Sequence, residues 1–390
     1  MALDRLQSLT ERDGALFAGM QDDEAQAVFA YLFSQPRQAG GAPRLRSRAI
    51  GLYDPFCDRR HHNLGLLWQA GPYSCCDHRC AYCYARSYLA NFAHGGATKR
   101  GFGAAFSRCL EDLQRLKVPP RHLSMANSTD VLQARLEREH RAALFMFECI
   151  ACYPGLFASV GVLTKHPEVL LDDERYTAAL LSLGAEVQVS IAFFRDEAAA
   201  RVEPGAPPPS LRRLAVERLA ARGVRVVLRL DPLFPRGVPG VPDLQSWDDD
   251  VRPLVEWATR VPVAYVITSP IKLPFRRNLM EGFHRAMLPA FPVVRGSYRR
   301  MAPDVERAVV ADLHLLGEAS GLSVEHCFAN ILRRARQAQE SPVDDRNSTI
   351  ARRTNRGSPR GDSTRQSNDP GVFIDRGEID LRVVPIPAHR

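Results

Sequence analysis

Within residues 72–86 three cysteines, Cys76, Cys80 and Cys83, stand in a C-x3-C-x2-C spacing. Three thiolates this close in sequence can wrap one face of a cubane iron–sulfur cluster, because such clusters are held by closely spaced cysteines. The fourth iron of the cubane then has no protein ligand. An iron with an open position can bind and activate a small molecule, so the spacing is catalytic rather than purely structural. The competing chemistry is a zinc site in which His78 or Cys75 completes a tetrahedron. Structural zinc sites favour two ligand pairs separated by a longer insert, and the compact triplet does not follow that plan.

The remaining cysteines give weaker signals. Five of the nine, Cys57, Cys75, Cys76, Cys80 and Cys83, fall in one short window, and clustered thiols without a secretory signal point to metal rather than to disulfides. Cys57 and Cys75 could form an accessory site with His61 and His62, although Cys75 reads better as a flank of the loop. Cys149 and Cys152 sit about one turn apart near the end of an expected helix, among Phe145, Phe147 and Ile150, where free cysteine behaves as a small buried hydrophobe.

The chain that must position these residues has 390 residues, 45% of them apolar, enough for a sizeable core. No apolar run approaches the roughly 20 residues of a membrane span. The start, Met-Ala-Leu-Asp-Arg, has no apolar stretch of a signal peptide, so a cytoplasmic enzyme is expected. The formal charge of +8 invites a nucleic-acid partner. However, residues 331–390 carry 12 Arg against 8 acids, so half of the excess lies in the tail.

Residues 1–60 read as an N-terminal helical extension ending in a polar, Arg-rich connection. From Leu64 strands and helices alternate: strands are expected at 64–73, 122–126, 156–163, 186–194, 224–230 and 263–268. Between them, helices are expected to start at 82, to run over 104–116 and to about 152, and then over 173–183, from Ser210 as N-cap to Gly223, and over 246–259. Strands alternating with helices of this length mean βαβ units and a parallel sheet. The pattern predicts an α/β fold, a partial (β/α)6 TIM-type barrel over 61–275. A C-terminal helical extension follows at 276–336, with its most regular helix at 304–319. Residues 337–390 read as a mostly disordered tail, rich in Ser, Arg, Asp, Asn and Gly. Ligands of parallel α/β sheets sit at the carboxyl ends of the strands, which puts the cysteine loop at the barrel mouth. Polar groups on the other strand ends, Ser128, Thr129, Asp130, Lys165, Arg229 and Asp231, are placed to meet a cation held against an electron-rich cluster.

The cysteine triplet with an aromatic residue before its third member resembles the radical S-adenosylmethionine superfamily. The wider string Pro72-Tyr73-x2-Cys76-x-His78-x-Cys80-x-Tyr82-Cys83-Tyr84-Ala85-Arg86 resembles its spore photoproduct lyase-like branch. The likeness continues in order through Ser128-Thr129-Asp130, Thr164-Lys165, Val189-Ser190-Ile191, Glu203-Pro204, Leu211-Arg212-Arg213-Leu214, Gly223-Val224 and Asp231-Pro232. This resemblance implies a [4Fe-4S] cluster on Cys76, Cys80 and Cys83, with S-adenosyl-L-methionine on the free iron. It implies reductive cleavage to a 5′-deoxyadenosyl radical that abstracts a substrate hydrogen. It also implies Tyr82 beside the adenine; by position at strand ends, Ser190 is the candidate for the ribose or carboxylate, with Ser128, Asp130 and Lys165 as further cofactor contacts. An external one-electron reductant of the flavodoxin or ferredoxin kind would drive the reaction. The substrate is left open, nucleic acid being one class and a DNA-repair-like lyase reaction one outcome. The alternative remains a non-catalytic zinc-binding module associated with nucleic acid. Two departures stand out. No Gly-Gly-Glu run follows the second strand, and Asn127 occupies the place where photoproduct lyases carry a hydrogen-donating cysteine.

Overall fold

In a strand, successive side chains point to opposite faces, and here the two faces carry different chemistry. The computed structural model describes residues 45–47, 49–53, 67–87, 95–118, 120–125, 128–274, 282–295 and 298–327. Strand β1 (Ile50–Tyr53) pairs antiparallel with β2 (Leu67–Ala70). From β2 the sheet runs parallel through β3 (His122–Met125), β4 (Ser159–Thr164), β5 (Glu186–Ser190), β6 (Arg225–Leu233) and β7 (Val266–Pro270). On β3 and β5, Leu123, Met125, Val187 and Val189 point into the apolar core, whereas His122, Ser124, Gln188 and Ser190 line an internal cavity. Strand β6 repeats this, with Val226, Leu228 and Leu230 in the core and Arg229 and Asp231 at the cavity.

Strand order in the sheet follows chain order through β7, so each crossover joins neighbours, as in a β/α barrel. The last strand, β11 (Val324–His326), adds to β7 in parallel. Strands β1 and β11 are the two edges, so among the described residues the barrel stays open, an α/β partial barrel. All six expected parallel strands are present; β1 and β11 are additional.

Helix α1 (Phe102–Arg115) buries Phe102, Phe106, Cys109, Leu110 and Leu113, an apolar stripe at helical spacing. The helix expected to run to Cys152 is in fact two, α2 (Ala134–His140) and α3 (Ala142–Ala151), parted at Arg141, which has φ 47°. Glu137 bridges the break by accepting from the Ala143 amide at 2.9 Å. The same carboxylate accepts from the hydroxyls of Tyr73 and Tyr176, which ties the approach to the cysteine loop to α4 (Glu174–Ser182). A short α5 (Asp196–Ala200) precedes α6 (Pro209–Ala221), whose N-cap is Pro208 rather than Ser210. Ser210 instead donates to Asp196 at 2.5 Å, joining the two helices. Gly223, with φ 80°, closes α6 as expected. A π-helical turn capped by Ser246 leads into α7 (Arg252–Arg260).

The segment expected as a helical extension is mixed. It holds α8 (Gly282–Met287) and α9 (Pro303–Ala319), but also β9 (Val293–Arg295) and β10 (Tyr298–Arg300). These two strands form a small antiparallel sheet with β8 (Leu273–Pro274). Most of the 1–60 extension, the 337–390 tail, Cys57, His61, His62 and Asn127 lie outside the described residues. No helix among the described residues is long and apolar enough to cross a membrane.

Candidate functional site

The cysteine loop is held from three sides by backbone-directed contacts. The Gln133 side chain accepts from the Asp77 amide at 2.8 Å and donates to the Cys75 carbonyl at 2.8 Å. The Ala81 amide donates to the Val202 carbonyl at 2.7 Å, and the Gly205 amide to the His78 carbonyl at 3.0 Å. Position 205 lies so close that a Cβ there would sit 2.2 Å from the Asp77 carbonyl oxygen, a distance only glycine permits. So fixed, the loop presents Cys76, Cys80 and Cys83 to one cavity of about 250 Å³ at the carboxyl ends of the strands. Cys75, 2% exposed, is not among the residues lining it.

Asp130 is the hub that joins this loop to the barrel. Its Oδ1 accepts from the Leu132 amide and the Thr164 hydroxyl, both at 2.8 Å. Its Oδ2 accepts from His78 Nε2 at 2.9 Å and from the Lys165 amide at 2.6 Å. Burial pushes its pKa up, but the His78 contact and the amides outweigh that and hold it at about 2. The second nitrogen of His78 lies 3.2 Å from the Gly205 carbonyl oxygen. Both His78 nitrogens are therefore engaged, and the ring orders the loop instead of completing a metal site.

Beneath the loop lies a second buried cluster. Glu203 accepts from the Tyr82 hydroxyl and from Arg212 Nη2, and Lys165 Nζ stands 3.2 Å from it. Burial raises the Glu203 pKa, but Arg212 and Lys165 overcome this and hold it at about 2. Arg212 also donates to the Pro207 carbonyl at 2.7 Å and to the Ser190 carbonyl at 3.0 Å, which ties α6 to the end of β5. Tyr82 is thereby locked, with its ring edge-on to Phe234 and Lys165 Nζ 5.7 Å from its ring centre.

The sequence-predicted site residues are brought together. Tyr82, Ser128, Asp130, Lys165 and Ser190 all line the cavity that the three cysteines face. Asp130 has its four acceptor positions filled within the protein, so its part is to position the loop. The far wall adds Gln188, Arg229, Asp231, Lys272 and Cys327. Cys327 gave no signal in the sequence, because it reaches the cavity only through the pairing of β11 with β7. Gln133, Glu203 and Arg212 are also site-forming, and each comes from a different loop or helix. Cys149, near the end of α3, and its C-cap Cys152 are half-buried and do not line the cavity, and Cys149 packs against the core.

The donor set fits a cubane cluster better than a single ion. Among the described residues no group of three or more His, Cys, Asp or Glu side chains is gathered where one metal ion could sit. Three cysteines spread along one cavity wall match the demand of a cluster, one thiolate per iron. Burial, then Asp130 and Cys80, push the Cys76 thiol well above its ordinary value. Burial and Glu203 push Cys80 up to about 12. Metal binding requires the thiolates and displaces these protons, so iron would supply the positive charge that the buried thiols lack.

No protein-family model and no curated protein matches the chain in sequence. Solved structures do match in fold. A spore photoproduct lyase double mutant with bound AdoMet and dinucleoside spore photoproduct superposes with a TM-score of 0.52 at 12% identity, covering 78% of this chain and 94% of that one. Spore photoproduct lyase complexed with dinucleoside spore photoproduct gives 0.51 at 12% identity, with the same two coverages of 78% and 94%. The partial barrel of this chain thus shares its fold with spore photoproduct lyase.

Proposed function

We propose that this protein is a radical S-adenosylmethionine enzyme that abstracts a hydrogen atom from its substrate. The observation that carries this reading is the exposure of Cys76, Cys80 and Cys83 to one cavity, with His78 and Cys75 otherwise occupied or turned away. Cys76, Cys80 and Cys83 would hold a [4Fe-4S] cluster there, which would supply the electron for reductive cleavage of S-adenosylmethionine. The chain's own residues provide the rest. The Asp130 hub and Gly205 hold the three thiols in place, and the Glu203–Arg212–Lys165 cluster fixes Tyr82 and the end of β5, where Ser190 faces the cavity. Ser190 is the candidate for the ribose or carboxylate, and Ser128 and Lys165 offer further polar contacts to the cofactor. An external one-electron carrier of the flavodoxin or ferredoxin kind delivers the electron.

The fold likeness makes nucleic acid the leading substrate class, with a repair-like reaction as its chemistry. Asn127, standing where photoproduct lyases have a cysteine, argues that the fate of the product radical differs from theirs. Anaerobic reconstitution with iron and sulfide tests the reading. A brown protein absorbing near ~400 nm that releases 5′-deoxyadenosine after dithionite reduction supports it. A colourless protein with stoichiometric zinc refutes it.

A further inference from the structure

The cysteine loop has an inner and an outer side. Cys76, His78, Cys80 and Tyr82 line the cavity, whereas the residues between them, Asp77, Arg79 and Ala81, do not. Arg79 is exposed, with its backbone in the left-handed region at φ 52°, which is uncommon for a residue with a side chain. Among the described residues its guanidinium makes no hydrogen bond or ion pair.

Two more arginines flank the loop in the same condition. Arg138 lies one turn after Arg135 on α2, and Arg135 braces the loop by pairing with Asp77 at 3.1 Å. Arg201 precedes Val202, whose carbonyl accepts from the Ala81 amide at 2.7 Å. Both Arg138 and Arg201 are exposed and, among the described residues, unpaired. The acids on the adjoining segments do not cancel this charge. Asp77 is taken by Arg135, and Asp130 and Glu203 are buried behind the loop, Glu203 against Arg212 and Lys165. Glu168 Oε1 lies 3.3 Å from His166, and burial pushes its pKa up to about 7, so near neutral pH it carries only part of a charge. Glu139, beside His140, and Glu197, one turn before Arg201 on α5, are the exposed acids that remain. Arg79, Arg138 and Arg201, with Lys99 at the start of the loop on the Gly71 carbonyl, outnumber them.

The position of this charge matters as much as its sign. A cluster held by Cys76, Cys80 and Cys83 would lie on the cavity side of the loop, together with the co-substrate. The outer side is the approach that remains for a donor of electrons, and Arg79 adjoins the ligand Cys80 there. We infer that the outer side of the cysteine loop, centred on Arg79 and flanked by Arg138 and Arg201, is the docking surface for an acidic one-electron carrier protein. In the step it serves, the reduced carrier loses one electron and the cluster gains it; no atom is transferred. Electron-transfer encounters use small interfaces, and opposite charges speed association and set the orientation. A few unpaired arginines suit such a partner. Nucleic acid seated here would have the whole loop between it and the cavity. The carrier's purpose rests on the radical-enzyme reading, but the patch is defined without the cluster.

Binding is measured by fluorescence anisotropy of a dye-labelled bacterial flavodoxin, and of a [2Fe-2S] ferredoxin, added to the full-length protein. One of the two is expected to bind, and to bind several-fold more weakly at about 500 mM salt than at about 20 mM. Arg79→Glu should weaken that binding at least ~5-fold. The double variant Arg138→Glu/Arg201→Glu, which lies outside the loop, should do the same and covers the case in which Arg79→Glu disturbs the cysteines. Arg222→Glu, at the exposed C-cap of α6 on the opposite end of the barrel, should leave it unchanged. After reconstitution, the variants should slow bleaching of the absorbance near ~400 nm by the reduced carrier but not by dithionite. Absence of binding by both carriers overturns the inference, as does equal binding by all variants. Loss of binding to a labelled single-stranded oligonucleotide with carrier binding intact overturns it too, since the surface would then serve nucleic acid. A protein that binds the carrier through these arginines but forms no cluster keeps the docking surface and refutes the radical-enzyme reading, so the two failures are distinct.

Discussion

Glu203 and Arg212 form an ion pair beneath the cysteine loop with side chains 0% and 1% exposed. Such a pair is weak evidence for stability in itself, but removing one partner strands a buried charge. Arg212→Met is expected to cost about 3–5 kcal/mol, read as a fall in urea midpoint. Lys165 stands on the other side of Glu203 and would soften the loss. The double variant Glu203→Gln/Arg212→Met should recover much of the stability, giving a coupling energy well above the ~0.5 kcal/mol expected of independent sites. Additive losses would mean that the two side chains do not act as a pair.

The two buried carboxylates also set how the protein responds to acid. Asp130 and Glu203 are both held at about 2, below their ordinary values of 3.8 and 4.5. A carboxylate depressed in the folded state contributes stability that is fully present above its unfolded pKa and lost as pH falls through the folded one. Unfolding free energy should therefore drop between about pH 4.5 and pH 2. Asp130→Asn should be less stable at neutral pH and show a shallower acid slope, since it has one fewer proton to take up. Urea titrations of both proteins at several pH values check this; identical slopes would count against it.

Much of the barrel was legible because its strands alternate. Glu186 to Ser190 and Arg225 to Leu233 place core residues and cavity residues on opposite faces, and that period of two survives in a single sequence. The three-residue strands β10 and β11 are too short to show a period. The break at Arg141 was hidden for another reason: a left-handed residue between two helical stretches leaves no mark in apolar spacing. In the site, the three cysteines that share one loop could be read from spacing, whereas Glu203, Arg212 and Cys327 meet it only in the folded chain. Ser210 shows the limit of local rules. Its residue type favours an N-cap, but the helix already begins at Pro209, and inside its first turn Ser210 donates both its amide and its hydroxyl to the Asp196 carboxylate.

Gly205 offers a test of how tightly the loop must be held. Its α-position leaves no room for a methyl group, because the Asp77 carbonyl and the His78 backbone would lie at 2.2 and 3.0 Å from it. Both obstacles are backbone, so relief requires the cysteine loop itself to shift. Gly205→Ala should lower bound iron after reconstitution by at least about half while leaving the barrel folded, since overpacking of this kind costs about 1–3 kcal/mol. Iron content and far-ultraviolet circular dichroism together check it. Full iron loading would show that the loop has slack that the contacts around Asp77 and His78 do not suggest.

Cys75 and Cys76 are neighbours in sequence but face different surroundings, and this gives the sharpest test of the ligand assignment. Cys76 lines the cavity with Cys80 and Cys83, whereas Cys75 is buried and its carbonyl is taken by Gln133. Cys75→Ala removes only a sulfur from a packed site, so the reconstituted protein should keep its iron and its absorbance near ~400 nm. Cys76→Ala, Cys80→Ala and Cys83→Ala should each lose most of both, because a cubane held by three thiolates has no protein ligand in reserve. Cys327→Ala should retain the cluster, as its sulfur faces Arg229 across the cavity. A colourless Cys75 or Cys327 variant would mean that the fourth iron has a protein ligand. The open coordination position on which the proposed chemistry depends would then be gone.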